Sequence, residues 1–316
     1  MKLNEEHEYL DLLESIITHG EKRLDRTGVG TYALYGVTLE YDISDNRIPI
    51  VSTRKINPLF PILEMLWFMR GDTNVKYLLD HDCHIWDSWV IPDTAVYNNN
   101  GKLVAGSIGK ASYGAMWRRW PAMKIVQAHE WHNKYAQDDW RYLMPAMNGK
   151  MIIYKEIDQL REAIRLIKNE PHSRRNIVSS WNPAEMQDMA LPPCHWSYQF
   201  VVTSTGLELH LNMRSSDAPV GLVFNVAQYA FLAHVIAHIT DLKATRLVYK
   251  GVDVHVYSNQ VELVKKQLER EPIKSNDPRL TIKKKPYEYT IDTLNIDDIE
   301  ISGYEHHPFI KYPVAV

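Results

Sequence analysis

The stretch "GLELHLNMR" (206–214) alternates Leu207, Leu209, Leu211 and Met213 with Glu208, His210, Asn212 and Arg214. A period of two puts the four apolar side chains on one face of a β-strand and the polar ones on the other. Just downstream, "FNVAQYAFLAHVIAHI" (224–239) changes the period. Phe224, Ala227, Phe231, Val235 and Ile239 recur three or four apart, as a buried central helix requires. "VDVHVY" (252–257) returns to alternation, with Val252, Val254 and Val256 on one face and Asp253, His255 and Tyr257 on the other. Strand, core helix and strand in succession predict a mixed α+β protein built on one main sheet.

Further out, Leu10, Leu13 and Ile17 follow helical spacing and Gly20 is a stop signal. "PILEMLWFM" (61–69) is too apolar for a surface helix and predicts a core one. "IDQLREAIRLIKNEP" (157–171) is amphipathic through Ile157, Leu160, Ile164 and Ile167 and ends at Pro171. The chain contains no repeat, low-complexity tract or Gly/Ser linker, which predicts one domain over 1–316. Its tryptophan-rich stretch and turn signals such as "NNNG" predict a smaller, irregular subdomain around 85–155.

The 316 residues are 45% hydrophobic and 24% charged, the composition of an ordinary globular protein. A net charge of −3 excludes a generally basic nucleic-acid binder. No run reads as apolar for long enough to span a bilayer, and "MKLNEEHEYL" lacks a signal-peptide core, so a cytoplasmic location is expected. Two cysteines, Cys83 and Cys194, cannot build a disulfide framework, and the fourteen histidines show no metal-binding spacing. No metal is therefore expected.

Cys83 reads as a small buried hydrophobe. Cys194, in "ALPPCHWSYQF" (190–200), follows Pro192 and Pro193 and precedes His195. A thiolate is the reactive form of cysteine and nearby positive charge favours it. "HSRRN" (172–176) and "NMRSSD" (212–217) supply Arg174, Arg175 and Arg214, which suit either phosphate oxygens or a solvated surface. Glu64, inside "PILEMLWFM", must be paired, protonated or facing a polar cavity, and burial would raise its pKa toward neutrality.

Eight stretches then occur in one order: "LDRTGVGTYALYG" (24–36), "LEMLWFMRGDTNVKYL" (63–78), "HIWDSW" (84–89), "SRRNIVSSWNP" (173–183), "MALPPCHWSYQF" (189–200), "RSSDAPVGLVFNVAQYA" (214–230), "DVHVYSNQVELVKKQLEREP" (253–272) and "HPFIKYPVAV" (307–316). Together they closely resemble the thymidylate synthase family. The resemblance implies an α+β sandwich with a large twisted mixed sheet, forming a homodimer through its sheet faces. It also implies one-carbon transfer from 5,10-methylenetetrahydrofolate, as cosubstrate, to C5 of deoxyuridylate (dUMP).

In that picture Cys194 adds to C6 of the uracil ring and makes C5 nucleophilic. Arg26, Arg214 and Ser215 hold the phosphate, with Arg174 and Arg175 reaching it from the partner subunit. Asn225 reads the uracil edge, while His255 and Tyr257 bond the sugar 3′-hydroxyl. Glu64 organises waters and moves protons, Tyr113 assists proton removal from C5, and His195 supports the network. Ile85, Trp86, Trp89, Asp217, Gly221 and Phe224 line the folate site, and the tail ending at Val316 closes it.

The chain departs from the family pattern at Met213, where glutamine is usual, at Gln260 and Asn57, where histidine is usual, and in a longer segment at 121–155. A methionine cannot replace an amide's hydrogen bonds, so the network near Asn225 must be arranged differently. "NMRSSD" also resembles phage nucleotide hydroxymethylases of the same superfamily, which add water to the same adduct. A dUMP hydroxymethylase is therefore the second enzyme reading. A nucleotide- or RNA-binding regulator without turnover is the third, and the retention of Cys194, Glu64 and the arginines argues against it.

Overall fold

In the computed structural model, which describes residues 1–315, the alternation at 207–213 lies inside a six-stranded sheet. Its order is Glu21–Arg23, Thr31–Asp42, Ala244–Tyr257, Leu207–Asp217, His195–Val202 and Ile177–Ser179. Only Leu207–Asp217 and Ala244–Tyr257 run parallel, because the helix Val223–Ile239 crosses over between them. All other neighbours pair antiparallel. The sheet is therefore mixed, and with its flanking helices the architecture is α+β.

Leu207, Leu209, Leu211 and Met213 are buried, as their alternation requires. Val223–Ile239 is apolar on every side, and Phe231, Leu232, Val235 and Ile236 have no exposed surface. With the turn before it, the segment Ala218–Ile239 is long and apolar enough to cross a membrane, which corrects the sequence expectation of no such run. Most of it is buried inside the protein, so it acts as the core helix. Phe60–Met69 packs against it, and Leu3–His19 ends where the Gly20 N–H meets the Ile16 carbonyl at 3.0 Å.

One line of irregularities crosses the sheet and decides what faces the site. The pairing register shifts between Asn212 and Met213, and Gly36 has a φ of 71° in the facing segment of Thr31–Asp42. Before this line the side chains with no exposed surface are those of Leu247 and Tyr249; beyond it they are those of Val254 and Val256. In the neighbouring strand burial passes likewise from Leu211 and Met213 to Ser216. The change of parity frees Ser215, Asp217, His255 and Tyr257 to turn toward one cavity. Val252 sits on the kink and is 61% exposed, so it does not share the buried environment of Val254 and Val256.

One further expectation needs correction. Ile157 does not belong to the amphipathic helix: it ends the strand Lys150–Ile157. The helix starts at Gln159, with the Asp158 carboxylate accepting the Arg161 N–H at 2.9 Å. Within the segment around 85–155, short turns and strands over 87–105 precede a regular piece. Trp120–Gln127, Lys150–Ile157 and Arg141–Ala146 form a three-stranded antiparallel sheet. Pro121 and Pro145 read as strand breakers, but both lie on edge strands, where a missing N–H is tolerated. A register shift between Tyr142 and Met144 also breaks the alternation.

Candidate active site

A cavity of about 1320 Å³ opens where the kinked strands meet the helices Phe60–Met69 and Val223–Ile239. Arg26, Glu64, Ile85, Trp86, Trp89, Tyr113, Cys194 and His195 line it from the first two thirds of the chain. Arg214, Ser215, Asp217, Gly221, Phe224, Asn225, His255 and Tyr257 line it from the last third. Arg174 and Arg175 do not: both are exposed on the loop before the edge strand Ile177–Ser179. Val316 lies outside the described residues; Val314 and Ala315, next to it, border the cavity.

Arg214 clamps the cysteine turn. Its Nε donates to the Pro193 carbonyl at 2.9 Å and its Nη2 to the Pro192 carbonyl at 2.7 Å, while its backbone N–H meets the Cys194 carbonyl at 2.9 Å. The same Nη2 lies 3.8 Å from Cys194 Sγ. From the other side the Tyr113 hydroxyl accepts the Cys194 N–H at 3.0 Å. Burial raises the thiol pKa, and Arg214, the Tyr113 hydroxyl and Arg26 oppose that rise. At Cys83 burial outweighs a backbone hydrogen bond from Ile85 and pushes the thiol up to about 12.

His195 points away from general-base work on the neighbouring thiol. Its Nδ1 is 2.7 Å from the Tyr229 hydroxyl, and its ring lies against Tyr113 with centroids 4.1 Å apart. Burial drops its pKa to about 3, so the imidazole is neutral at physiological pH.

Glu64 is held by two donors. Trp86 Nε1 meets Oε1 at 2.5 Å and Gln228 Nε2 meets Oε2 at 2.9 Å. Burial outweighs both and raises its pKa to about 7, which suits a group that gives and takes protons near neutrality. Gln228 then accepts from Asn225 Nδ2 at 3.2 Å, so an amide bridge joins the carboxylate to the asparagine. Sequence reading passed over Gln228. The available signal was the one Glu64 gave: a polar residue inside an apolar helix. Met213 is buried in the core and does not border the cavity, so Gln228 supplies the amide that strand position lacks.

The cationic end of the cavity holds Arg23, Arg26 and Arg214. Arg23 pairs with Asp253, whose other oxygen is 2.9 Å from His255 Nδ1. Burial opposes ionisation of Asp253, but His255 and Arg23 together hold its pKa below the usual range. That chain orients His255 toward the cavity beside Tyr257, with ring centroids 5.1 Å apart. Trp181 lies under the Arg214 guanidinium at 5.7 Å. Such an arginine cluster matches a phosphate.

Another stretch of the lining is apolar. Trp86 and Trp89 pack edge to face at 5.6 Å, and Ile85, Val220 and Phe224 extend the wall. Asp217 lies beside His255 on the neighbouring strand, and burial raises its pKa against a hydrogen bond from Gln260. Gln260 links several parts of this wall. Its Nε2 reaches Asp217 Oδ2 at 3.0 Å and the Pro313 carbonyl at 2.9 Å, and its Oε1 accepts the Tyr257 N–H at 3.0 Å. The glutamine that departs from the family pattern thus ties the C-terminal segment to the cavity wall. An aromatic floor with one buried carboxylate fits a planar heterocycle bearing N–H groups.

A thiol beside an arginine, a buried carboxylate of raised pKa, an asparagine amide and a pair of tryptophans thus share one cavity. The family model described as Thymidylate synthase matches residues 7–316, essentially the whole chain. The chain belongs to the thymidylate synthase family, whose folate-dependent enzymes methylate or hydroxymethylate dUMP.

Proposed function

We propose that this protein is a thymidylate synthase, converting dUMP and 5,10-methylenetetrahydrofolate to dTMP and dihydrofolate through a covalent adduct on Cys194. The observation that carries the reading is Cys194 Sγ lying 3.8 Å from Arg214 in the cavity that also holds Glu64 and Asn225. Arg26, Arg214 and Ser215 hold the nucleotide phosphate, with Arg174 and Arg175 of the partner subunit completing the cluster in a homodimer. His255 and Tyr257 take the 3′-hydroxyl, and Asn225 takes the uracil edge. The Cys194 thiolate adds to C6, and the electron pair of the C5–C6 double bond moves onto the ring as an enolate. The bound folate supplies the one-carbon unit and the hydride. Glu64 and Tyr113 handle the proton lost from C5, His195 stays neutral and supports Tyr113, and expulsion of the thiolate restores the double bond.

Ile85, Trp86, Trp89, Asp217, Gly221 and Phe224 hold the folate, and the C-terminal residues through Val316 close over it. Excluding water there decides between hydride transfer and hydration. The second reading, dUMP hydroxymethylase, drew on Met213 and on the longer segment 121–155; Met213 lies in the core and neither borders the cavity. The tail segment, by contrast, is tied to the wall by Gln260. Mass analysis of the nucleotide after incubation with dUMP and methylenetetrahydrofolate separates the two. A methyl gain with matching dihydrofolate, seen as rising near-ultraviolet absorbance, supports the synthase; a hydroxymethyl gain without dihydrofolate overturns it.

A further inference from the structure

We propose that Gln228 sets which way Asn225 faces a pyrimidine base, taking its own orientation from Glu64, so that uracil is told from cytosine through a buried amide relay. The proposal rests on the reading of Asn225 as the base reader. An ionised carboxylate only accepts hydrogen bonds, so Gln228 must turn its Nε2 to Glu64 Oε2, at 2.9 Å. Its Oε1 is left to accept, and Asn225 Nδ2 donates to it at 3.2 Å. Gln228 has no exposed surface, so water cannot substitute for either partner.

Asn225 is thereby fixed with its nitrogen toward Gln228 and its Oδ1 free as an acceptor. Uracil offers N3–H as donor and O4 as acceptor, which that orientation matches with Oδ1 and the second amide hydrogen. Cytosine offers the reverse pattern and needs Asn225 turned over. Turning it would set Oδ1 against Gln228 Oε1, two acceptors face to face, with Gln228 itself sealed from water. The titratable groups around the carboxylate are Cys83, Tyr113 and Tyr229, all raised by burial and neutral, so Trp86 and Gln228 alone satisfy it.

The test is calorimetric binding of dUMP, dCMP and 2-deoxyribose 5-phosphate to the full chain, at about pH 8, where Glu64 is ionised. In Gln228→Leu the preference for dUMP over dCMP should fall by about 10-fold or more, with sugar-phosphate affinity unchanged. An unchanged preference overturns the proposal. If that variant fails to bind the sugar phosphate, Gln228→Glu decides. Its carboxyl can donate to Glu64 only when protonated, so the preference should return as pH falls and vanish as it rises. A preference equal to wild type at every pH overturns the proposal. Wild-type protein that binds neither nucleotide overturns the functional reading and the relay with it, an outcome distinct from normal dUMP binding with no effect at Gln228.

Discussion

Arg214 Nη2 lies 3.8 Å from Cys194 Sγ while it donates to the Pro192 carbonyl at 2.7 Å, so one guanidinium both shapes the cysteine turn and acts on its thiol. Lysine presents a point charge and cannot reproduce the fork that spans Pro192, Pro193 and the sulfur. Arg214→Lys should therefore slow alkylation of Cys194 by iodoacetamide near neutral pH by about 10-fold and cut turnover by about 100-fold or more. Peptide mapping of the alkylated protein measures the first effect. An alkylation rate equal to wild type would show that the arginine does not act on the thiol.

Glu64 should control the pH dependence. Its folded pKa, about 7, is above the ordinary 4.5, so the folded state binds its proton more readily than the unfolded state. The stability attached to that proton is full below about 4.5 and is lost as pH rises through 7. Glu64→Gln, which keeps the shape without the charge, should be more stable than wild type at about pH 8, by up to about 3 kcal/mol, with the gap closing toward about pH 4. The same variant should lose turnover by about 100-fold or more. Denaturant unfolding across pH checks the first outcome, and a gap independent of pH would contradict it.

Much of this was legible in the sequence. The strand 207–213 and the core helix 224–239 announced themselves by period, because each buries a face whose spacing the backbone imposes. Periodicity could not show the kink beside Met213, which alters pairing without altering composition; it exposes Val252 and turns His255 and Tyr257 to the cavity. Cys194 and Glu64 stood out because a thiol near positive charge or a carboxylate in an apolar run demands a reason; Arg214 stood out in "NMRSSD", Arg26 only through the family resemblance, and Arg23 was missed. Gln228 escaped because a neutral amide demands less, and Gln260 was noticed only as a departure from the family pattern; their importance lies in contacts with Glu64, Asp217 and Pro313, far away in the chain.

Gln260 couples the tail to the cavity wall through Pro313 and Asp217. Gln260→Leu should slow dihydrofolate formation by about 10-fold while changing dUMP affinity by less than about 3-fold, and removal of Val316 should act in the same direction. Stopped-flow absorbance together with nucleotide titration measures both. Equal losses in binding and turnover would contradict a separate role in closure.

Arg174 and Arg175 are exposed and outside the cavity of their own chain. If they serve the partner's phosphate, a mixed dimer of Arg175→Ala and Cys194→Ser chains holds one intact site. Mixing the two inactive parents should recover about a quarter of wild-type activity, since random exchange makes half the dimers mixed and each has one working site. No recovery despite demonstrated subunit exchange would contradict the shared site.

The covalent role of Cys194 is tested most directly by incubating the protein with 5-fluoro-dUMP and methylenetetrahydrofolate and mapping the product by peptide mass spectrometry. Fluorine at C5 cannot leave as a proton does, so the adduct should stall with nucleotide and folate carbon attached to the cysteine. The expected result is one modified peptide, carrying Cys194, with Cys83 untouched, as its burial and a thiol pKa of about 12 require. Cys194→Ser should give no adduct while still binding dUMP. An adduct on Cys83, or none in a protein that binds both ligands, would contradict the mechanism.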